Sequence, residues 1–180
     1  MTTTQTMTAD QVFARSSELG RCELVKGELI MMSPAGGGHG RVAAKLAFYL
    51  QQWANEHGGE VYGAETGFVL ERNPDTVRAP DAAWISSERA AQADTSKFIP
   101  IPPDMLAEVL SPNDKAEEVA EKTQWWLDHG VRLIWIADPA NRCVTVHLPS
   151  GDAHVYRADD TFSGGDVMPG LAVAVQELFD

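Results

Sequence analysis

Two long segments with helical spacing, each set between short apolar strands, most constrain what this chain can fold into. The first covers about residues 39–56, where apolar residues recur at helical intervals until His57-Gly58-Gly59 ends the pattern. The second opens at Ser111-Pro112 and closes at Gly130. Ser111 is the predicted N-cap of this helix, and Pro112 suits its first helical position.

Short apolar strands account for most of the remaining chain. They are predicted over 22–32 as a hairpin, then over 60–70, with Gly67 as a candidate break, and over 79–85, 105–110, 132–137, 143–148 and 153–156. A short helix over residues 8–16, with Thr8 as N-cap, precedes them. Residues 86–103 are predicted to be irregular. Because strands and helices alternate without repeats or a long linker, we predict one α/β domain over 1–180, a central mixed β-sheet flanked by helices.

The charge balance limits the classes of partner. The net charge is −12, which argues against a large basic surface for tracking nucleic acid. A local basic cleft, or bound divalent cations, would still be compatible with that total. The two cysteines lie far apart, so neither a disulfide nor a cysteine zinc site is expected. The start of the chain lacks signal-peptide features, and no apolar run approaches the roughly 20 residues that span a bilayer. A soluble cytoplasmic protein without a membrane partner is expected.

Glu108 is the most informative single residue. It interrupts the apolar stretch Met105-Leu-Ala-Glu-Val-Leu, where alternation places it on one face with Leu106 and Leu110. Burying a lone carboxylate is costly, so this one should be paired, protonated or bound to a metal ion. The alternative is an exposed acid at the end of the strand.

Asp81 is the second candidate. It follows Pro80 at the start of a predicted strand, where acidic residues are uncommon. A turn-type aspartate after proline is the alternative interpretation. If Asp81 and Glu108 lie side by side, they form an oxygen-rich site suited to Mg²⁺ or Mn²⁺.

Three further polar residues are weaker candidates. Lys122 lies roughly 100° from the apolar face of the second long helix, so it could reach over the sheet edge or pair with Glu118 one turn earlier. Glu23 stands among apolar neighbours in the first hairpin. His39 follows three glycines and begins the first long helix, where backbone N–H groups could meet a phosphate, unless the glycines form only a flexible surface loop.

These residues occur in an order that resembles the "putative restriction endonuclease" family, a branch of the PD-(D/E)XK nuclease superfamily. The resemblance covers about residues 8–179 and depends on the order and spacing of several short motifs. They are Glu23-Leu-Val-Lys-Gly-Glu-Leu, His39, Pro80-Asp81, Glu108-Val-Leu-Ser-Pro, Lys122, Gly130-Val and Trp135-Ile-Ala-Asp-Pro. The resemblance implies a restriction-endonuclease-like core and a divalent metal held by two acids.

Carried onto this sequence, the resemblance implies roles for particular residues. Pro80-Asp81 matches the "PD" element and Glu108 the "(D/E)" element. The lysine usual two positions later is replaced by Leu110, and Lys122 on the next helix matches the place to which this branch has moved it. A lysine side chain can bring its ammonium to the same point from a neighbouring helix. Lys115 is the competing lysine.

The remaining roles follow from the same resemblance. Asp81, Glu108 and the Val109 carbonyl would hold Mg²⁺ or Mn²⁺, and Glu23 matches an acid that would assist metal binding. His39, like Lys115, is a candidate for substrate binding. The implied activity is metal-dependent hydrolysis of DNA.

Two other functional classes stay open at this point. One is a nuclease-fold protein without catalysis that serves as a binding or assembly module, which the acidic composition and Leu110 favour. The other is an unrelated enzyme acting on a small molecule. Apolar strands near the sheet edges and the C-terminal hairpin could also support a homodimer.

Overall fold

The computed structural model describes residues 6–180, which form six helices and twelve strands. The helices are α1 Ala9–Ala14, α2 Ser16–Leu19, α3 Gly37–His57, α4 Ser87–Ala90, α5 Ala116–Asp128 and α6 Val175–Phe179. The strands are β1 Cys22–Val25, β2 Glu28–Met31, β3 Glu60–Gly63, β4 Phe68–Glu71, β5 Thr76–Arg78, β6 Ala82–Ile85, β7 Met105–Val109, β8 Leu133–Asp138, β9 Cys143–His147, β10 Ala153–Tyr156, β11 Thr161–Gly164 and β12 Met168–Ala174.

A six-stranded mixed sheet forms the centre, in the order β10-β9-β8-β7-β6-β3. The β7–β8 pair is parallel and the other pairs are antiparallel. The parallel pair requires a crossover, which α5 provides. Helix α3 contributes Leu46, Leu50 and Trp53 to the apolar core on one face of the sheet. Helix α5 contributes Trp126 to the core on the other face, which confirms the predicted α/β architecture.

A second, four-stranded sheet has the order β2-β1-β5-β4. The segment 60–70 is therefore broken, as the candidate break near Gly67 suggested, because β3 belongs to the central sheet and β4 to the second one. The chain turns between them, and Gly67 sits where a Cβ atom would lie 2.4 Å from the Phe98 ring. The close approach of that ring requires a glycine at the break. The second sheet brings β1, and with it Glu23, toward the ends of β6 and β7.

The start of α5 differs from the prediction. The helix begins at Ala116, with Lys115 as an N-cap that makes no side-chain capping bond. Ser111 is not the N-cap and Pro112 is not the first helical residue. Instead, the Ser111 N–H donates to Asp114 Oδ2 at 2.8 Å, and the Asp114 N–H donates to the Ser111 carbonyl at 3.0 Å. An aspartate that bonds the local backbone stabilises a turn in competition with the helix.

Several smaller predictions can also be compared with the structure. Thr8 caps α1 in a reciprocal capping box with Gln11, as predicted. Helix α4 lies in the stretch expected to be irregular. Both cysteines are free thiols. Among residues 6–180, no helix combines the length and apolar character needed to cross a bilayer. The edge strand β2 exposes Ile30 and Met31, while the homodimer stays a prediction.

Candidate functional site

The two candidate acids lie opposite each other on neighbouring strands. Strands β6 and β7 are antiparallel and pair Ala82 with Ala107, so the preceding Asp81 faces Glu108 across the sheet. The Val109 N–H donates to Asp81 Oδ2 at 2.8 Å, which ties the start of β6 to the end of β7. The sheet register therefore brings together two acids that are 27 positions apart in the sequence.

Asp81 is nearly fully buried and has basic neighbours on both carboxylate oxygens. His39 Nε2 lies 3.3 Å from Oδ2, and Arg21 Nη2 lies 3.9 Å from Oδ1. The His39 contact is an ion pair only when the imidazole is protonated. The Arg21 separation exceeds the roughly 3 Å of an N–H···O hydrogen bond, so Arg21 and Oδ1 attract each other without a hydrogen bond between them.

Glu108 occupies the interior position that its apolar neighbours predicted. Its side chain is 16% exposed. Burial away from water raises the pKa of Glu108 to about 7, and the negative charges of Asp81 and Glu23 add to the rise while the Lys122 ammonium opposes it. The buried Oε1 of Glu108 forms an ion pair with Lys122, whose Nζ lies 2.7 Å away.

Lys122 reaches the acids rather than its own helix surface. Its ammonium bridges Glu108 Oε1 at 2.7 Å and Glu23 Oε1 at 3.0 Å. Burial alone would lower the pKa of Lys122, but the two carboxylates outweigh that effect and hold it above its ordinary value. The alternative pairing with Glu118 is wrong, because Glu118 pairs with exposed Lys115 at 2.6 Å.

Glu23 is held by three donors. Besides Lys122, Arg78 Nη1 lies 3.1 Å from its Oε2, and the Ala79 N–H donates to its Oε1 at 3.1 Å. Burial would raise the pKa of Glu23, but these cations and the backbone N–H hold it below its ordinary value. Glu23 is therefore an ionised, fully partnered carboxylate beside the acid pair.

Two arginines at this site were not among the candidates from the sequence. Arg78 lies at the end of β5 over the Trp125 ring, with 5.1 Å between its Cζ atom and the ring centroid. Arg21 precedes β1 and lies 3.6 Å from Glu65 as well as near Asp81. A charged residue among the apolar ones of a short strand was a usable signal for Arg78, as it was for Glu23. Nothing in the local sequence around Arg21 provides such a signal.

A cleft of about 390 Å³ opens beside Asp81, between α3 and the end of β3. One wall consists of small residues of α3, and the other follows Gly63 and Ala64. The polar side chains that line it are Arg21, His39, Glu65 and Asp81. The first turn of α3 also borders the cleft, since His39 is the third residue of that helix. Backbone N–H groups in the first turn of a helix lack partners within the helix.

The donor set fits a hard divalent cation that keeps much of its water. Among residues 6–180, no three histidine, cysteine, aspartate or glutamate side chains are grouped closely enough to enclose a metal ion. Mg²⁺ is usually bound by only one or two carboxylates together with water and substrate phosphate. The facing pair Asp81 and Glu108 supplies two such carboxylates.

Comparison with known proteins agrees with this architecture. The model of the Uma2 family, described as "Putative restriction endonuclease", matches residues 10–176. No match is found among curated proteins. The chain is similar in structure to a putative nuclease belonging to DUF820 from Anabaena variabilis ATCC 29413, with a TM-score of 0.75, 20% sequence identity and coverage of 88% of this chain and 89% of that one. At that identity the likeness shows the fold.

Proposed function

Because the chain belongs to the Uma2 family of putative restriction endonucleases, we propose that it is a metal-dependent endonuclease hydrolysing phosphodiester bonds of DNA. The observation that supports this proposal is the placement of Asp81 opposite Glu108, with the Lys122 ammonium 2.7 Å from the second acid. Two acids and a lysine from separate elements meet where β6 begins and β7 ends. Such a group supplies both the negative charge that binds a cation and a positive charge beside it.

In the proposed reaction, Asp81, Glu108 and the Val109 carbonyl would hold Mg²⁺ or Mn²⁺. When bound, the ion supplies a water of lowered pKa and polarises the scissile phosphate. The Val109 N–H holds the Asp81 carboxylate in place, so the two acids keep a fixed separation.

Lys122 would position the attacking water or stabilise the negative charge that develops on the phosphate. Its ammonium is fixed by two carboxylates, which restricts a flexible side chain to one geometry. Glu23 was expected to assist metal binding. Its oxygens already meet Lys122, Arg78 and the Ala79 N–H, so we propose that it acts through Lys122 as a positioning residue.

His39 and Lys115 differ as candidates for substrate binding. His39 is mostly buried, lines the cleft and lies 3.3 Å from Asp81, so we propose that it meets the phosphate next to the one that is cut. Lys115 is exposed and paired with Glu118, so its contribution would be limited to a weak, general attraction for DNA.

Cleavage of plasmid and single-stranded DNA with Mg²⁺ and with Mn²⁺ tests the proposal. We expect cleavage by the unmodified protein and its loss in Asp81→Ala and in Glu108→Ala. Glu117→Ala removes an exposed acid from α5 and should retain activity. Cleavage that is equal in all four proteins, or absent with both metals, contradicts the proposal.

The alternative is a nuclease-fold binding or assembly module. The net charge of −12 and the presence of Leu110 at the usual lysine position favour it. Calorimetric titration with Mn²⁺ separates the two functions. Binding that disappears in Glu108→Ala supports the endonuclease site, whereas a protein that binds no metal supports the module.

A further inference from the structure

We propose that the cleft between α3 and the end of β3 holds an unpaired nucleotide, with Arg21 on its phosphate, and that the substrate is therefore single-stranded DNA. This inference rests on the proposed endonuclease function, because the cleft adjoins Asp81. It adds a substrate class and a binding residue. Shape, available donors and overall charge each support it.

The shape of the cleft suits one small unit of a polymer. Its volume of about 390 Å³ falls at the lower end of the roughly 300–1,000 Å³ of small-ligand sites. After His39 at its start, α3 lines the cleft with Gly40, Ala43, Ala44 and Ala47, whose side chains are the smallest available. This run of small residues lets a sugar and a base approach the helix backbone closely. A paired base, held inside a duplex, cannot enter a recess of this size.

Arg21 gives the cleft a donor for one phosphate, beside the carboxylates of Glu65 and Asp81 that also line it. Arg21 lies 3.6 Å from Glu65 and 3.9 Å from Asp81, both longer than the roughly 3 Å of a hydrogen bond. Its planar guanidinium therefore has N–H donors available for two oxygens of one phosphate. Because Arg21 also neighbours Asp81, a phosphate bound there lies directly beside the acid pair.

The charge of the whole protein favours a single strand over a duplex. A duplex carries one negative charge per about 1.7 Å of its axis, and one strand carries half that density. A protein with a net charge of −12 repels the duplex more strongly. The lining of the cleft includes the cation Arg21 and the imidazole of His39, fewer groups than the 6–10 phosphate contacts of a protein that binds a duplex strongly.

Fluorescence anisotropy with a labelled 12-nucleotide single strand and a hairpin duplex of the same sequence tests the inference. Ca²⁺ replaces Mg²⁺, because the same oxygen ligands accept it. We expect the single strand to bind at least about tenfold more tightly than the duplex. Ala44→Trp, which fills the cleft from an exposed helix position, should weaken single-strand binding by about tenfold or more. Gln52→Trp, on the same helix outside the cleft lining, should bind as the unmodified protein does.

Arg21→Ala provides an independent variant. It should weaken single-strand binding by roughly tenfold and reduce the slope of log K against log salt by about 0.7, the value for one phosphate contact on a single strand. Arg157→Ala is the matched control, because Arg157 is exposed and follows β10 at the opposite edge of the central sheet. Circular dichroism confirms that each variant is folded.

Duplex binding equal to or stronger than single-strand binding overturns the inference, and so does unchanged binding by both Ala44→Trp and Arg21→Ala. Cleavage by the unmodified protein is scored separately with Mg²⁺. A protein that cuts duplex DNA but does not prefer single strands overturns the inference alone. A protein that binds single strands through the cleft but cuts nothing supports the inference and contradicts the endonuclease function.

Discussion

Replacing Glu108 by glutamine should change how the stability of the metal-free protein depends on pH. Burial raises the pKa of Glu108 from an ordinary value of 4.5 to about 7. Because the folded-state pKa is the higher one, folding favours the protonated carboxyl. The stability that Glu108 contributes is therefore fully present below about pH 4.5 and is lost as the pH rises through about 7.

The size of the effect follows from the shift. Each pKa unit corresponds to about 1.4 kcal/mol, so a rise from 4.5 to about 7 corresponds to about 3 kcal/mol. The side chain is only 16% exposed, so screening by solvent removes little of it. Glutamine matches the protonated acid in shape and does not titrate. Between pH 4.5 and pH 8, the unmodified protein should therefore lose about 3 kcal/mol of unfolding free energy relative to Glu108→Gln.

Urea denaturation in a chelating buffer, at half-unit steps over that range, measures both proteins. Glu117→Gln, an exposed acid of α5, is the control and should follow the unmodified protein. Mg²⁺ added at pH 8 should stabilise the unmodified protein, by about 2.7 kcal/mol at a hundredfold excess over the dissociation constant, but not Glu108→Gln. Parallel pH curves for Glu108→Gln and the unmodified protein would refute the reasoning, since they would show that folding does not shift this carboxyl.

Three further substitutions, two of them paired with a matched control, test other contacts. Lys122→Met removes the cation shared by two buried carboxylates and should cost about 3 kcal/mol in urea denaturation at pH 7, whereas Lys115→Met should leave stability nearly unchanged. Gly59 has a φ of +90°, and the Cβ added by Gly59→Ala would lie 2.2 Å from the indole nitrogen of Trp84. Thermal unfolding should therefore show a loss of stability of about 2–3 kcal/mol. Gly151→Ala, at φ +87° with open space, should lose only about 1 kcal/mol. Asp81→Asn keeps an acceptor for the backbone N–H that it binds, so it should remain folded while its metal-dependent cleavage is lost. Equal losses in the two glycine variants, or full activity of Asp81→Asn, would contradict these expectations.

The sequence by itself determined the features that depend on local periodicity. Helical spacing predicted α3 within about two residues at its N-terminus and one at its C-terminus, and apolar runs predicted β7 and β8. Glu108 was identifiable because a carboxylate in an apolar strand requires a partner wherever the strand is placed. These inferences need only neighbouring residues, so they hold before the tertiary structure is known.

Only the tertiary structure decided which partners those residues meet. The pairing of Lys122 with Glu23 and Glu108, rather than with Glu118, depends on a β1 strand about a hundred positions earlier. The predicted start of α5 was wrong because Ser111 and Asp114 form a turn, and such a turn competes locally with a helix capped at Ser111. Arg21 was missed since its neighbours in space, unlike those in sequence, include Asp81. Electrostatic partnership is set by distance in the folded chain, and sequence separation carries almost no information about it.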